Sequence, residues 1–126
     1  MNLTLLKEPL TVCQLPPDAP IPGWAAGPAA FLSITRTSEE LSITCPAALV
    51  PPSVKQVAGW RAFQVAGPLD FSLTGILAAL TAPLAAAGLT VFAVATYNTD
   101  YLLVKADKVD ADAQALRAAG HIITEP

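Results

Sequence analysis

Few side chains in this sequence can do chemistry, and the most suggestive stand in two short runs. The first, Leu73-Thr74-Gly75-Ile76, opens an apolar stretch that reads as a helix; the second, Thr96-Tyr97-Asn98-Thr99-Asp100, reads as the turn of a strand hairpin. A helix start offers unpaired N–H groups and a partial positive charge, both of which favour a carboxylate. Gly75 removes a side chain that would block close approach. Asp100 can accept an ammonium group or a cationic side chain, and Thr96, Asn98 and Thr99 supply neutral hydrogen-bonding groups. Brought together, the two runs would bracket a zwitterion, such as a free amino acid or a related small metabolite. A plainer alternative stands beside this one: Gly75 serves tight helix packing, and Asn98 and Asp100 are ordinary turn residues.

The remaining reactive groups argue against catalysis. Cys13 and Cys45 are isolated thiols without CxxC spacing, which in a reducing compartment reads as two small core residues and not as a disulfide or metal site. The one histidine, His121, follows a helix-ending glycine, where an imidazole caps carbonyls or faces solvent. No GxSxG, HExxH or phosphate-binding loop occurs, so no catalytic residue, metal or cofactor is expected. Trp24 and Trp60 have no context suggesting an aromatic cage and read as core or interface.

Two runs separated by some twenty residues can share a ligand only if the fold reunites them. Trp60 to Ala66 alternates as a strand and stops at Gly67-Pro68. Leu73, Ile76, Leu77, Leu80, Leu84 and Ala87 then share one helical face, Gly88 ends the helix, and Pro83 predicts a kink or early loosening. Leu89 to Thr96 and Tyr101 to Lys105 form a hairpin around the acidic turn. Asp107 is the expected N-cap of a second helix, with Asp110 as capping partner and Val109, Ala113, Leu116 and Ala119 as its buried face, before Gly120 and a closing strand at 121–125. The order β-α-β-β-α-β is a ferredoxin-like split βαβ unit. Its right-handed crossover places the C-terminal ends of the first two strands, and the start of the first helix, on one edge of the sheet.

The first half echoes the second. Phe31 to Cys45 superposes strand on strand and turn on turn with Val91 to Lys105, and Glu40 falls on Asp100. Short strands are expected at Leu3 to Leu6 and Leu10 to Leu15. The segment from Pro16 to Gly23 is too rich in proline for a full helix, leaving at most one turn around Trp24 to Ala26. The expected fold is therefore α+β, with two tandem βαββαβ units, 1–58 with a degenerate first helix and 59–126 complete, each an antiparallel sheet with helices on one face.

Length and charge fit that reading. The chain of 126 residues is 53% apolar and only 13% charged, against about 25% charged in ordinary globular chains, so much of its surface must be apolar or covered, and a homo-oligomer is expected. A net charge of −3 without a basic run gives no footprint for nucleic acid. Ile76 to Ala95 is long and apolar enough to raise the question of a membrane span, but Pro83, Gly88 and the change to β-branched residues argue for a buried helix and strand. Lys7, Glu8 and Pro9 interrupt the first apolar run, so a secretory leader is not expected and the location read here is cytoplasmic.

The runs Val65 to Gly88 and Val91 to Val104 resemble the ACT-domain family, in particular small bacterial tandem-ACT proteins related to aspartokinase regulatory domains and the arginine-sensing ACT tandems of animals. The likeness extends over nearly the whole chain, including Val12 to Leu15 and Ala19 to Trp24. ACT domains usually open their first helix with Pro-Gly-hydrophobic, and Thr74-Gly75-Ile76 occupies that place with threonine for proline. Asp100 matches an aspartate that contacts the bound amino acid in the arginine sensors. The resemblance implies a non-catalytic regulatory module that binds an amino acid at interfaces between units, commonly between the subunits of a dimer. Because no enzyme domain accompanies the two units, the output would pass to a partner enzyme. A scaffold that binds such a partner without any small ligand is the competing expectation.

Overall fold

A computed structural model of the chain describes residues 1–70 and 74–125. Its strands and helices run β1 (Asn2–Leu5), β2 (Leu10–Leu15), β3 (Ser33–Arg36), β4 (Leu41–Pro46), β5 (Gln56–Val65), α1 (Ile76–Ala86), β6 (Val91–Ala95), β7 (Asp100–Lys105), α2 (Val109–Ala118) and β8 (Ile122–Thr124). Single turns of 3-10 helix occur at Gly23–Ala25, Ala47–Leu49 and Ala106–Lys108. Two compact bodies divide the chain: Glu8–Gly59, and Met1–Lys7 together with Trp60–Pro126. The expected boundary at 58/59 thus falls beside the observed junction, but the first seven residues belong to the second body. Both bodies follow the βαββαβ plan, and the chain passes from one to the other within the residues of β5.

In the Glu8–Gly59 body the strand order is β3-β4-β2-β5, with β4 antiparallel to both β2 and β3. Both helix positions are reduced to 3-10 turns, the second as well as the first. The prolines explain the first reduction: a helix through 16–22 would lose a donor at each of them. The guanidinium of Arg36 holds the proline-rich segment instead, donating to the carbonyls of Pro17 and, at 2.9 Å, Ala19. Cys13, Ala25, Leu41, Ile43 and Cys45 form the buried centre. Both cysteines are free thiols, and burial pushes Cys13 up from its ordinary pKa and Cys45 up to about 11.

In the other body the sheet order is β6-β7-β5-β1-β8. Strand β1 inserts between β5 and β8, antiparallel to the first and parallel to the second, so the sheet is mixed where an antiparallel one was expected. Leu3, Leu5, Phe63, Val65, Leu102 and Val104 alternate onto one face and meet Leu80, Leu84 and Leu116 from the helices, which all lie on that face. The apolar side of the pleat thereby selects where α1 and α2 sit.

The helix ends follow one rule. Gly88 (φ 73°) and Gly120 (φ 95°) each occupy the left-handed position after a helix. Leu89 N–H donates to Leu84 O at 2.9 Å and His121 N–H to Leu116 O at 3.1 Å, the six-to-one bonds of a Schellman cap. The helix starts depart from expectation. Asp107 lies in the 3-10 turn before α2, so the cap position moves on to Lys108, which makes no side-chain cap bond. Helix α1 continues three residues past Pro83. Proline has no N–H for the carbonyl four residues back, that of Ala79, and His121 Nε2 reaches the same carbonyl at 3.1 Å. An imidazole from beyond α2 therefore replaces the donor that proline removed.

Asp112 is the other anomaly. It is fully buried on the core side of α2, and neither carboxylate oxygen has a hydrogen-bond partner. Burial alone pushes its carboxyl up to about 6.

Candidate functional site

The site grows out of two crossings from strand to loop at one sheet edge. Strand β5 ends at Val65 and leads through a cis Gly67–Pro68 bond toward α1; β6 ends at Ala95 and returns as β7 through the four-residue turn Thr96 to Thr99. The turn is rigid by construction. Thr96 N–H and Oγ1 both donate to Thr99 O, at 2.9 and 2.7 Å, and Thr96 Oγ1 accepts from Thr99 N–H at 3.2 Å. Buried Thr99 Oγ1 donates to Val65 O at 2.7 Å, and Leu69 N–H donates to Asn98 O at 2.6 Å, which ties the turn to the loop after β5. A Cβ at Gly67 would lie 3.0 Å from both Asn98 O and Thr99 Cβ, so any larger residue would require the turn to give by a few tenths of an ångström.

Between the start of α1 and the turn lies a cavity of about 260 Å³. Gly75, Ile76 and all five residues from Thr96 to Asp100 line it, so the fold brings together seven of the nine residues singled out from the sequence. Thr74 is exposed and does not line the cavity; Leu73 lies outside the described residues. Leu69, Asp70, Leu77 and Ala95 line it as well, and sequence reasoning missed them. Asp70 matters most. Nothing in the sequence around Asp70 distinguishes its carboxylate from that of an ordinary loop residue.

The structure reassigns several roles. Gly75 sits at the N-cap of α1 with φ 74°, and a Cβ there would meet nothing within 4 Å. Backbone conformation, and not close approach, requires glycine at this position. The hydroxyls of Thr96 and Thr99 are engaged in building the turn, and the other polar residues lining the cavity are Asp70, Tyr97, Asn98 and Asp100. The first turn of α1 carries no acidic residue and no side-chain cap, so its leading N–H groups and dipole are not neutralised from within the helix. Among the described residues no lysine, arginine or histidine lines the cavity. The cavity thus combines the uncapped start of α1 with two acidic residues, Asp70 and Asp100, and Tyr97, 83% exposed, also lines it. Among the described residues no group of three or more His, Cys, Asp or Glu side chains is placed to hold a metal ion. Among the described residues no helix is long and apolar enough to cross a membrane.

A family model for the ACT domain matches residues 56–118, half of the chain. A protein of Agobacterium tumefaciens, known from its crystal structure, is 36% identical over 99% of this chain and 92% of its own, with a TM-score of 0.93. The chain belongs to the ACT-domain family. A second model, for an N-terminal domain, matches residues 8–53, within the Glu8–Gly59 body. Other solved structures share the fold alone. A Vibrio cholerae protein of unknown function, described as a possible transport protein, is 18% identical over 94% of this chain and 88% of its own, with a TM-score of 0.76. The regulatory subunit of aspartate kinase from Thermus thermophilus is 12% identical over 90% and 93%, with a TM-score of 0.61. No curated protein matches this ACT sequence. ACT domains are non-catalytic regulatory modules.

Proposed function

We propose that this ACT protein senses a free amino acid, or a closely related small metabolite, in the cavity between α1 and the 96–99 turn. The observation that carries the reading is the polarity of that cavity, which suits a zwitterion. Its carboxylate lies against the leading amides of α1, and its ammonium group lies between Asp70 and Asp100. The protein works as a homodimer in the cytoplasm and passes its occupancy to a partner enzyme. Support for self-association comes from β6, an edge strand without a charged residue that exposes Phe92, and from the equally uncharged α1, which exposes Leu77. Support for an enzyme partner comes from the Thermus neighbour, itself a regulatory subunit.

Thermal melts against the common amino acids test the proposal, with basic, acidic, hydroxyl and branched-chain members tried first. A ligand at about 100 times its Kd adds about 2.7 kcal/mol of stability, a shift of several degrees. Asp100→Ala should abolish the shift while moving the ligand-free midpoint by only a degree or two, because Asp100, half-buried at the first position of β7, lies outside the packed core. A flat panel would favour the ligand-free scaffold, and equal loss of fold and shift would make Asp100 structural.

A further inference from the structure

A second concavity lies on the same body, at the opposite sheet edge. Leu5, Val109, Ala113 and Ile123 form its apolar floor; Asp110, Gln114, Arg117 and Glu125 stand around it, enclosing about 340 Å³. One wall is α2 and the other is β8, an edge strand that pairs only with β1 among the described residues. Helix and strand are joined by only three residues, Ala119 to His121, so they run antiparallel. Asp110 near the start of α2 therefore shares one end of the groove with Glu125, just past β8, while Arg117 stands at the other end.

The strand supplies a second kind of recognition group. Ile122 N–H donates inward to Met1 O at 2.9 Å, and in a β-ladder the next residue's N–H and C=O point the other way. Ile123 thus directs both main-chain groups away from β1, while its side chain lies over the core with that of Leu3. A strand added antiparallel to β8 would exchange hydrogen bonds with Ile123 through its own central residue, whose side chain would drop onto the apolar floor. Residues two before and two after share that face. The earlier one meets Glu125 and Asp110; the later one meets Arg117.

We propose that the groove between α2 and β8 docks an extended segment of a partner protein by strand addition, and that the segment reads basic, apolar, acidic at alternate positions from N- to C-terminus. The charge order follows from the antiparallel direction. A segment with the same composition in reverse would set like charges together at both ends.

The test uses the full chain, isotope-labelled for NMR, and two blocked pentapeptides: Lys-Thr-Val-Thr-Glu and its reversal, Glu-Thr-Val-Thr-Lys. The first should shift the amides of 109–117 and 122–125 and bind roughly fivefold more tightly than the second, about the worth of exposed ion pairs in place of like-charge contacts. N-methylation of the central valine should remove most of the binding, since it deletes the bond to Ile123. Exposed Arg117→Glu should lose the preference for the first peptide without altering the fold. Equal binding of both peptides, undiminished binding of the N-methyl peptide, no shift by either, or the same shifts from single free amino acids would each overturn the proposal.

Discussion

Asp112 makes the stability of this protein depend on pH in a direction opposite to that of most carboxylates. Its carboxyl is fully buried without a partner and holds its proton up to about 6, whereas in the unfolded chain it would lose it near 3.9. The folded state therefore binds this proton more tightly. The associated stability is fully present below the unfolded value and is lost as pH rises through about 6. A difference of about two pKa units corresponds to ~3 kcal/mol over the whole range, of which ~1.4 kcal/mol falls between pH 7.5 and 5. For a chain of this length that is a rise of about 5 °C in melting temperature on acidification to pH 5. Asp112→Ala should remove that increment, so the wild-type curve minus the variant curve isolates it from other titrating groups. Because the variant no longer buries a charge and alanine favours helix, it should also be the more stable protein at pH 7.5, by ~1–3 kcal/mol. Calorimetry or urea melts at intervals of half a pH unit would measure both effects. An unchanged pH slope in the variant, or a variant less stable than wild type at pH 7.5, would refute the assignment.

Three other perturbations follow from geometry. His121→Ala should cost ~1–2 kcal/mol by orphaning the Ala79 carbonyl, but markedly less in a Pro83→Ala background, where alanine restores the helical N–H; a double-mutant cycle with no coupling would separate the two residues. Gly67→Ala should destabilise by ~1–3 kcal/mol and weaken any amino-acid response, because a Cβ 3.0 Å from Asn98 O and Thr99 Cβ must push the turn away; an unchanged melt would show that the turn gives freely. Cys13 and Cys45 should resist iodoacetamide in the native protein and react together on unfolding, since both are buried with raised pKa values; fast labelling by mass spectrometry under native conditions would contradict this.

Most of the second body was legible in the sequence because each element carries its own period. Alternation marked β5 and β7, the spacing of Leu80 and Leu84 marked α1, and Gly88 and Gly120 marked where the helices end. The crossover rule then placed the start of α1 and the acidic turn together, which the shared cavity reflects. What stayed hidden depends on partners and not on periods. Leu3 and Leu5 announce a strand without saying which sheet receives it, so the insertion of β1 between β5 and β8 could not be read. Thr96 and Thr99 looked available to a ligand because their bonds to the turn and to Val65 exist only in three dimensions. Asp112 lies one helical turn before Leu116 and is fully buried, a position that the face of Val109, Ala113, Leu116 and Ala119 expected from apolar spacing does not include, because a carboxylate carries no apolar signal.

The inserted β1 also governs how the body can be assembled or dissected. Its neighbour β8 lies some 120 residues further along the chain, so during synthesis the central strand emerges early and waits for a mate that comes last. That sheet can close only after translation has passed β8. Cutting the gene at the apparent midpoint would yield a C-terminal fragment with a vacant slot in the middle of its sheet, and a short peptide spanning Met1–Lys7, added back in trans, should refill it.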